Sequence, residues 1–157
     1  MFTKLFQVLI LSLLISLTGI ACSSQDNRKP SGEKVQFNKD DKLGQYFINE
    51  NRGKEVIKYA RRDLNDDGRE DLVVIYRVSA DKNMMRVILD LSGKYAATNE
   101  VPAPYSNQLI QFKNIDNKPP MEFIVQGARG AKMGYAIFRI EGTVLKDIFG
   151  EGMRDCC

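Results

Sequence analysis

The chain has 157 residues, a size suited to one folded domain rather than two independent cores. It contains no histidine and no tryptophan, which excludes Ser-His-Asp or Cys-His catalysis within the chain and any zinc site with imidazole ligands. Charged residues make up 27% and hydrophobic residues 43%, a globular composition, and a formal charge of +3 mixed among acids argues for no nucleic-acid surface.

MFTK opens the chain, followed by an uncharged apolar run from Leu5 to Ala21 and then Cys22. The run is short for a membrane span and reads as an export signal. Its end resembles a bacterial lipobox, with Ala21 before the cysteine and Gly19 where leucine is usual. That resemblance implies that residues 1–21 are a signal peptide and that Cys22 carries lipid. The protein would then be exported and anchored on the outer face of the cytoplasmic membrane. A retained signal anchor, or cleavage without lipidation, is the alternative. Residues 22–36 are polar, hold Pro30 and Gly32, and read as a flexible tether. Residues 37–149 read as a single β-rich domain and 150–157 as a mobile tail ending in two cysteines.

Within the domain, Leu43, Tyr46 and Phe47 share one face of a short helix over Asp41–Asn49, behind an Asp cap, although Gly44 weakens it. Strands follow. EVIKYARR leads into a turn; DLVVIYRV and MMRVILDL form a hairpin across SADKN. A weaker segment from Tyr95 is interrupted by Pro102 and Pro104, after which NQLIQFKNI, MEFIVQGA, GYAIFRI and TVLKDIF are four more strand candidates. Their short connections leave no room for helical crossovers, so a doubly wound α/β domain is excluded.

Residues 57–77 align with the segment beginning LIQFKNIDNKPPMEFIVQ at an offset of about 51 residues, placing Asp63 on Asn114, Asn65 on Asp116 and Asp71 on Glu122. The fold class expected is mainly β, a small antiparallel meander or sandwich from two β-hairpin pseudo-repeats. Each unit is an entering strand, a polar loop and a hairpin, able to cover the other's faces.

The loop from Asp63 to Leu72 is the most specific internal motif. Asp63, Asn65, Asp67 and Asp71, with the Arg69 carbonyl, are spaced as oxygen ligands for a structural calcium ion. It resembles the D-x-[DN]-x-D-G-x-x-D-L loop of FG-GAP-type exported β repeats, whereas the following strand argues against an EF-hand. The competing reading is a solvated turn with local Asx hydrogen bonds. Lys118 and Pro119-Pro120 disqualify the second copy as a cation loop. No two carboxylates are singled out for glycosidase chemistry, and no enzyme activity is expected.

The sequence ends GEGMRDCC, and Cys156 and Cys157 are spaced to chelate a soft metal or to form a redox pair. With the lipoprotein-like start and the β-rich body, this tail resembles the Cys-Cys-COOH (seleno)protein SaoC family. The resemblance implies an accessory to organometal transport that captures cargo such as mercury or organomercury through Cys156 and Cys157. It would hand that cargo to a membrane transporter or a cysteine-containing acceptor protein. A thiol-redox protein using the same pair, and a calcium-stabilised β scaffold for an envelope protein partner, are the competing functions.

Overall fold

Alternating apolar residues and short turns fold into one helix and nine strands within residues 35–149, the part of the chain that the computed structural model describes. The expected signal peptide, Cys22, nearly all of the tether and the tail 150–157 lie outside the described residues.

Helix α1, Lys42–Glu50, begins where the Asp41 carboxylate accepts the Gly44 amide. It runs one residue later at each end than expected. A Cβ at Gly44 would come within 2.3 Å of the Phe37 ring, so the residue that weakens the helix by propensity is what lets Phe37 pack beneath it.

The strands are β1 (Glu55–Arg62), β2 (Asp71–Ser79), β3 (Lys82–Leu91), β4 (Lys94–Ala97), β5 (Val101–Ala103), β6 (Ser106–Lys113), β7 (Glu122–Arg129), β8 (Lys132–Glu141) and β9 (Val144–Asp147). They form two antiparallel sheets. Sheet 1 has the order β1-β2-β3-β4, with β5 also pairing β3; sheet 2 has the order β6-β7-β8-β9. β5 carries Pro102 at a sheet edge, where a missing amide donor is tolerated. The fold is mainly β, two antiparallel sheets formed from hairpin-like repeats with one short helix.

The repeat extends to individual hydrogen bonds. The Leu64 amide donates to Asp71 seven residues on, at 2.9 Å, and the Ile115 amide donates to Glu122 in the same relation at 2.9 Å. Asp66 and Asn117, fifty-one positions apart, both take positive φ, at 62° and 59°.

Two apolar layers result. One holds Phe37, Leu43 and Phe47 against Leu72, Val74, Tyr76 and Ile88, so α1 covers one face of sheet 1. The other packs Val73, Ile75, Met85 and Val87 of sheet 1 against Phe123, Val125, Ala136 and Phe138 of sheet 2. The cross-strand pair Leu72–Ile88, under the helix, corresponds by register to Phe123–Phe138, under sheet 1. The repeats are therefore stacked face to back: α1 lies on sheet 1 as sheet 1 lies on sheet 2.

Candidate functional site

The acidic loop between β1 and β2 folds around its own backbone. Leu64 is fully buried and holds the loop to the core between its polar neighbours Asp63 and Asn65. Asp63 accepts the amides of Asp67 at 3.2 Å and Gly68 at 2.8 Å. Asn65 accepts the Asp67 amide at 3.2 Å and donates to the Asp67 carboxylate at 2.9 Å. Asp67 in turn accepts the Arg69 amide and pairs with the Arg69 guanidinium at 2.5 Å, while Arg69 Nε donates to the Asp90 carbonyl at 3.0 Å. These are Asx-type turns closed by one cation, and that cation is an arginine side chain.

Asp71 is fully buried at the foot of the loop and accepts the Leu64 and Asp90 amides, at 2.9 and 3.0 Å. Burial raises its pKa to about 6; the two amides act against that rise, and the nearby Asp67 and Asp63 charges add to it. In the second loop Glu122 is equally buried, with Arg139 bonded to its carboxylate through Nε at 2.8 Å and to Asp116 at 2.5 Å. Asp116 accepts the Lys118 amide at 2.9 Å, repeating the bond of Asn65 to Asp67. The two loops share a cleft of about 280 Å³ lined by Arg62, Asp63, Asp66 and Glu70 from the first and Met121 from the second.

The site expectations change in two respects. Among the described residues no group of three or more His, Cys, Asp or Glu is placed to hold a metal ion. Asp63, Asn65, Asp67 and Asp71 each accept from backbone amides, Asp63 and Asn65 sharing that of Asp67, and the Arg69 side chain rather than its carbonyl is the group turned to Asp67. The expectation of a metal-binding centre is corrected accordingly. The second correction concerns the dithiol function given to Cys156 and Cys157, which with Cys22 are the chain's three cysteines and lie outside the described residues. No dithiol site forms part of the described fold, and neither soft-metal or organomercury transfer nor thiol redox exchange is retained as the function. No helix among the described residues is long and apolar enough to cross a membrane.

The outer face of sheet 2 is what sequence reasoning missed. The sheet 1 pairs Val73–Val87 and Ile75–Met85, buried between the sheets, correspond to Ile124–Ile137 and Gln126–Tyr135 in sheet 2. On sheet 2 this face carries no covering layer among the described residues. Tyr135 is 45% exposed and stacks on Phe149, ring centroids 4.6 Å apart, and Ile148 and Leu109 are exposed beside them. The signal was present: in MEFIVQGA and GYAIFRI, apolar residues occupy both alternating sets of positions, as in a strand covered on both faces.

No family model, no curated protein and no solved structure matches the chain. The resemblances to the Cys-Cys-COOH family and to FG-GAP-type repeats are therefore not carried further. The fold defines the chain as a helix-capped, face-to-back stack of two β-hairpin repeats.

Proposed function

We infer that this chain is an exported, lipid-anchored scaffold that binds an envelope protein through the outer face of sheet 2. The observation that carries this reading is the open end of the stack. Ile124, Tyr135 and Ile137 occupy the places of Val73, Met85 and Val87, which in sheet 1 are buried against a second sheet. The occupant that suits this face is a partner's β-sheet presenting aliphatic and aromatic side chains, as sheet 2 presents Phe123, Val125 and Phe138 to sheet 1. α1 blocks the other end of the stack, so a second copy cannot dock head to tail through its sheet 1. Gln126 and Arg139 at the places of Ile75 and Leu89 make the face mixed rather than wholly apolar, as suits a partner that is bound after folding. Export and anchoring through Cys22 rest on the apolar leader and on Ala21 before the cysteine.

Hydroxyl-radical footprinting tests the assignment. Tyr135 and Phe149 should oxidise at least threefold more slowly in intact envelopes than in the purified protein, with Tyr59 on β1 unchanged. Equal oxidation in both settings would sink the reading.

A further inference from the structure

Sheet 1 has a strand that sheet 2 lacks among the described residues. After β4 the chain crosses to β5, which pairs with β3 through Met85–Val101, Met84–Pro102 and Asn83–Ala103. The stretch of β8 in the same place is Met133–Tyr135, fifty positions on, just as Phe138–Asp147 follows Ile88–Ala97. No described strand pairs with it on that side.

The backbone there faces outward. The Ile148 amide donates to the Ile137 carbonyl at 2.8 Å, on the side of β8 away from β7. Residues two and four positions along a strand turn their amide and carbonyl the same way, so those of Tyr135 and Met133 face the open edge. In sheet 1 the equivalent groups, of Met85 and Asn83, face β5. Thr98 donates its amide to the Val87 carbonyl at 2.9 Å and accepts the Val87 amide on its hydroxyl at 3.0 Å. Ile148, in the place of Thr98, has no side-chain oxygen to offer the Ile137 amide.

The other sheet margins carry features that discourage pairing. β1 has a register shift between Val56 and Lys58 and ends in Arg61-Arg62, and β6 has a shift between Ser106 and Leu109. β4 has four residues, β5 three including Pro102, and β9 four including Lys146 and Asp147. Met133-Gly134-Tyr135 has no charge, no proline and no register shift against β7. Met133 is 64% exposed, the largest value among the exposed large hydrophobic side chains.

We propose that the β8 edge at Met133–Tyr135 is a strand-acceptor site for an extended, uncharged segment of a partner protein, added antiparallel as a fifth strand of sheet 2. β5 shows the chemistry that the occupant needs. Val101 packs against the core between the sheets and Ala103 is buried, while Pro102 between them has no amide to give. The occupant is therefore an apolar-X-apolar segment that donates amides from its first and third residues and accepts proline at its second. Opposite Tyr135 and Met133, its two apolar side chains lie on the outer face, at the end of the row Leu109–Gln126–Tyr135. A second copy offers no such strand. Its other margins are blunted, and its own β8 carries β9 along the same side from Ile137 onward. The acceptor edge rests on the repeat and is independent of whether a sheet docks on the outer face.

A synthetic peptide with the sequence of Asn99–Tyr105, added to the full chain, is the probe. At millimolar concentration it should slow amide exchange at Met133 and Tyr135 at least threefold, in a saturable way. Gly134, whose amide faces β7, should be unchanged. A peptide with proline at both the valine and the alanine positions should give no protection, because it has lost both donors. Met133→Pro should abolish the effect in a protein that still unfolds cooperatively, since that amide serves no bond to β7. Equal exchange with and without the first peptide, or equal protection by the proline-substituted one, would overturn the proposal. Protection of these amides in the protein alone would overturn it too. It would give the edge to the chain itself or, where it grows with protein concentration, to a second copy.

Discussion

The side chain of Asn99 pairs with the backbone of Leu145 as a neighbouring strand would. Asn99 Nδ2 donates to the Leu145 carbonyl at 3.1 Å, and the Leu145 amide donates to Asn99 Oδ1 at 2.8 Å. Asn99 lies in the link between β4 and β5 of sheet 1, and Leu145 in the edge strand β9 of sheet 2, so one amide group clips the two repeats together at their margin. Both ends of the side chain are used, which no other residue of that size and neutrality except glutamine can do.

Asn99→Ala should therefore cost about 1–3 kcal/mol, since it leaves the amide and carbonyl of Leu145 without their partner. Asn99→Asp should recover less than half of that loss above pH 5, because a carboxylate accepts from the amide and repels the carbonyl. Urea denaturation of the three proteins measures both. An alanine variant as stable as the wild type would show that the clip contributes nothing.

Asp71 gives a pH dependence with a defined sign. Its native pKa, about 6, lies above the ordinary value of 3.8. Between about pH 4 and 6 the native state holds a proton that the unfolded chain has released, so stability from this group is present below about pH 4 and lost as the pH rises through about 6. Unfolding free energies of the wild type and Asp71→Asn, compared across that range, isolate the effect from other carboxylates. The wild type should lose stability relative to the variant as the pH rises. Parallel curves would refute the assignment.

Glu122 and Arg139 form a buried carboxylate with a largely covered guanidinium, bonded also to the Ile115 amide and Asp116. Removing the carboxylate leaves that guanidinium and amide without their main acceptor. Glu122→Ala should cost about 3–5 kcal/mol, and the double substitution with Arg139→Leu, which restores the residue found at Leu89 of the first repeat, should recover at least half. Additive losses in thermal or urea unfolding would count against this coupling.

The acidic loop yields a further check. Asp63, Asn65 and Asp67 are already satisfied by amides and by Arg69. Millimolar calcium is expected to leave the wild-type melting temperature within about 1 °C, because a ligand that does not bind the native state cannot shift its stability. A calcium-dependent rise of several degrees, abolished by Asp67→Ala, would contradict the loop geometry described here.

Much of the fold was legible in the residues. Hydrophobic alternation located the principal strands, the Asp41 cap located α1, and the equivalence of Asp71 with Glu122 announced a repeat that the Leu64 and Ile115 amides bear out. The direction of stacking was not legible. Alternation separates the two faces of a strand, but Leu72 and Val73 are both fully buried, so nothing local says which meets the helix and which the second sheet. The role of the loop was not legible for a related reason. Ligand-like spacing is shared by cation loops and Asx turns, and what separates them is where Arg69 points, which depends on the Asp90 carbonyl twenty-one residues away. The Asn99 clip spans forty-six residues and leaves no local pattern at all.

The central claim, that the outer face of sheet 2 binds a partner protein, is tested most directly by placing a photo-crosslinking amino acid at Ile137, between Tyr135 and Arg139, and separately at Tyr59 on the far sheet. In intact envelopes the Ile137 probe should yield one discrete crosslinked protein of a different sequence, absent from the Tyr59 probe and lost when Ile124→Asp is added. A product containing only this chain, or equal products from both positions, would contradict the account.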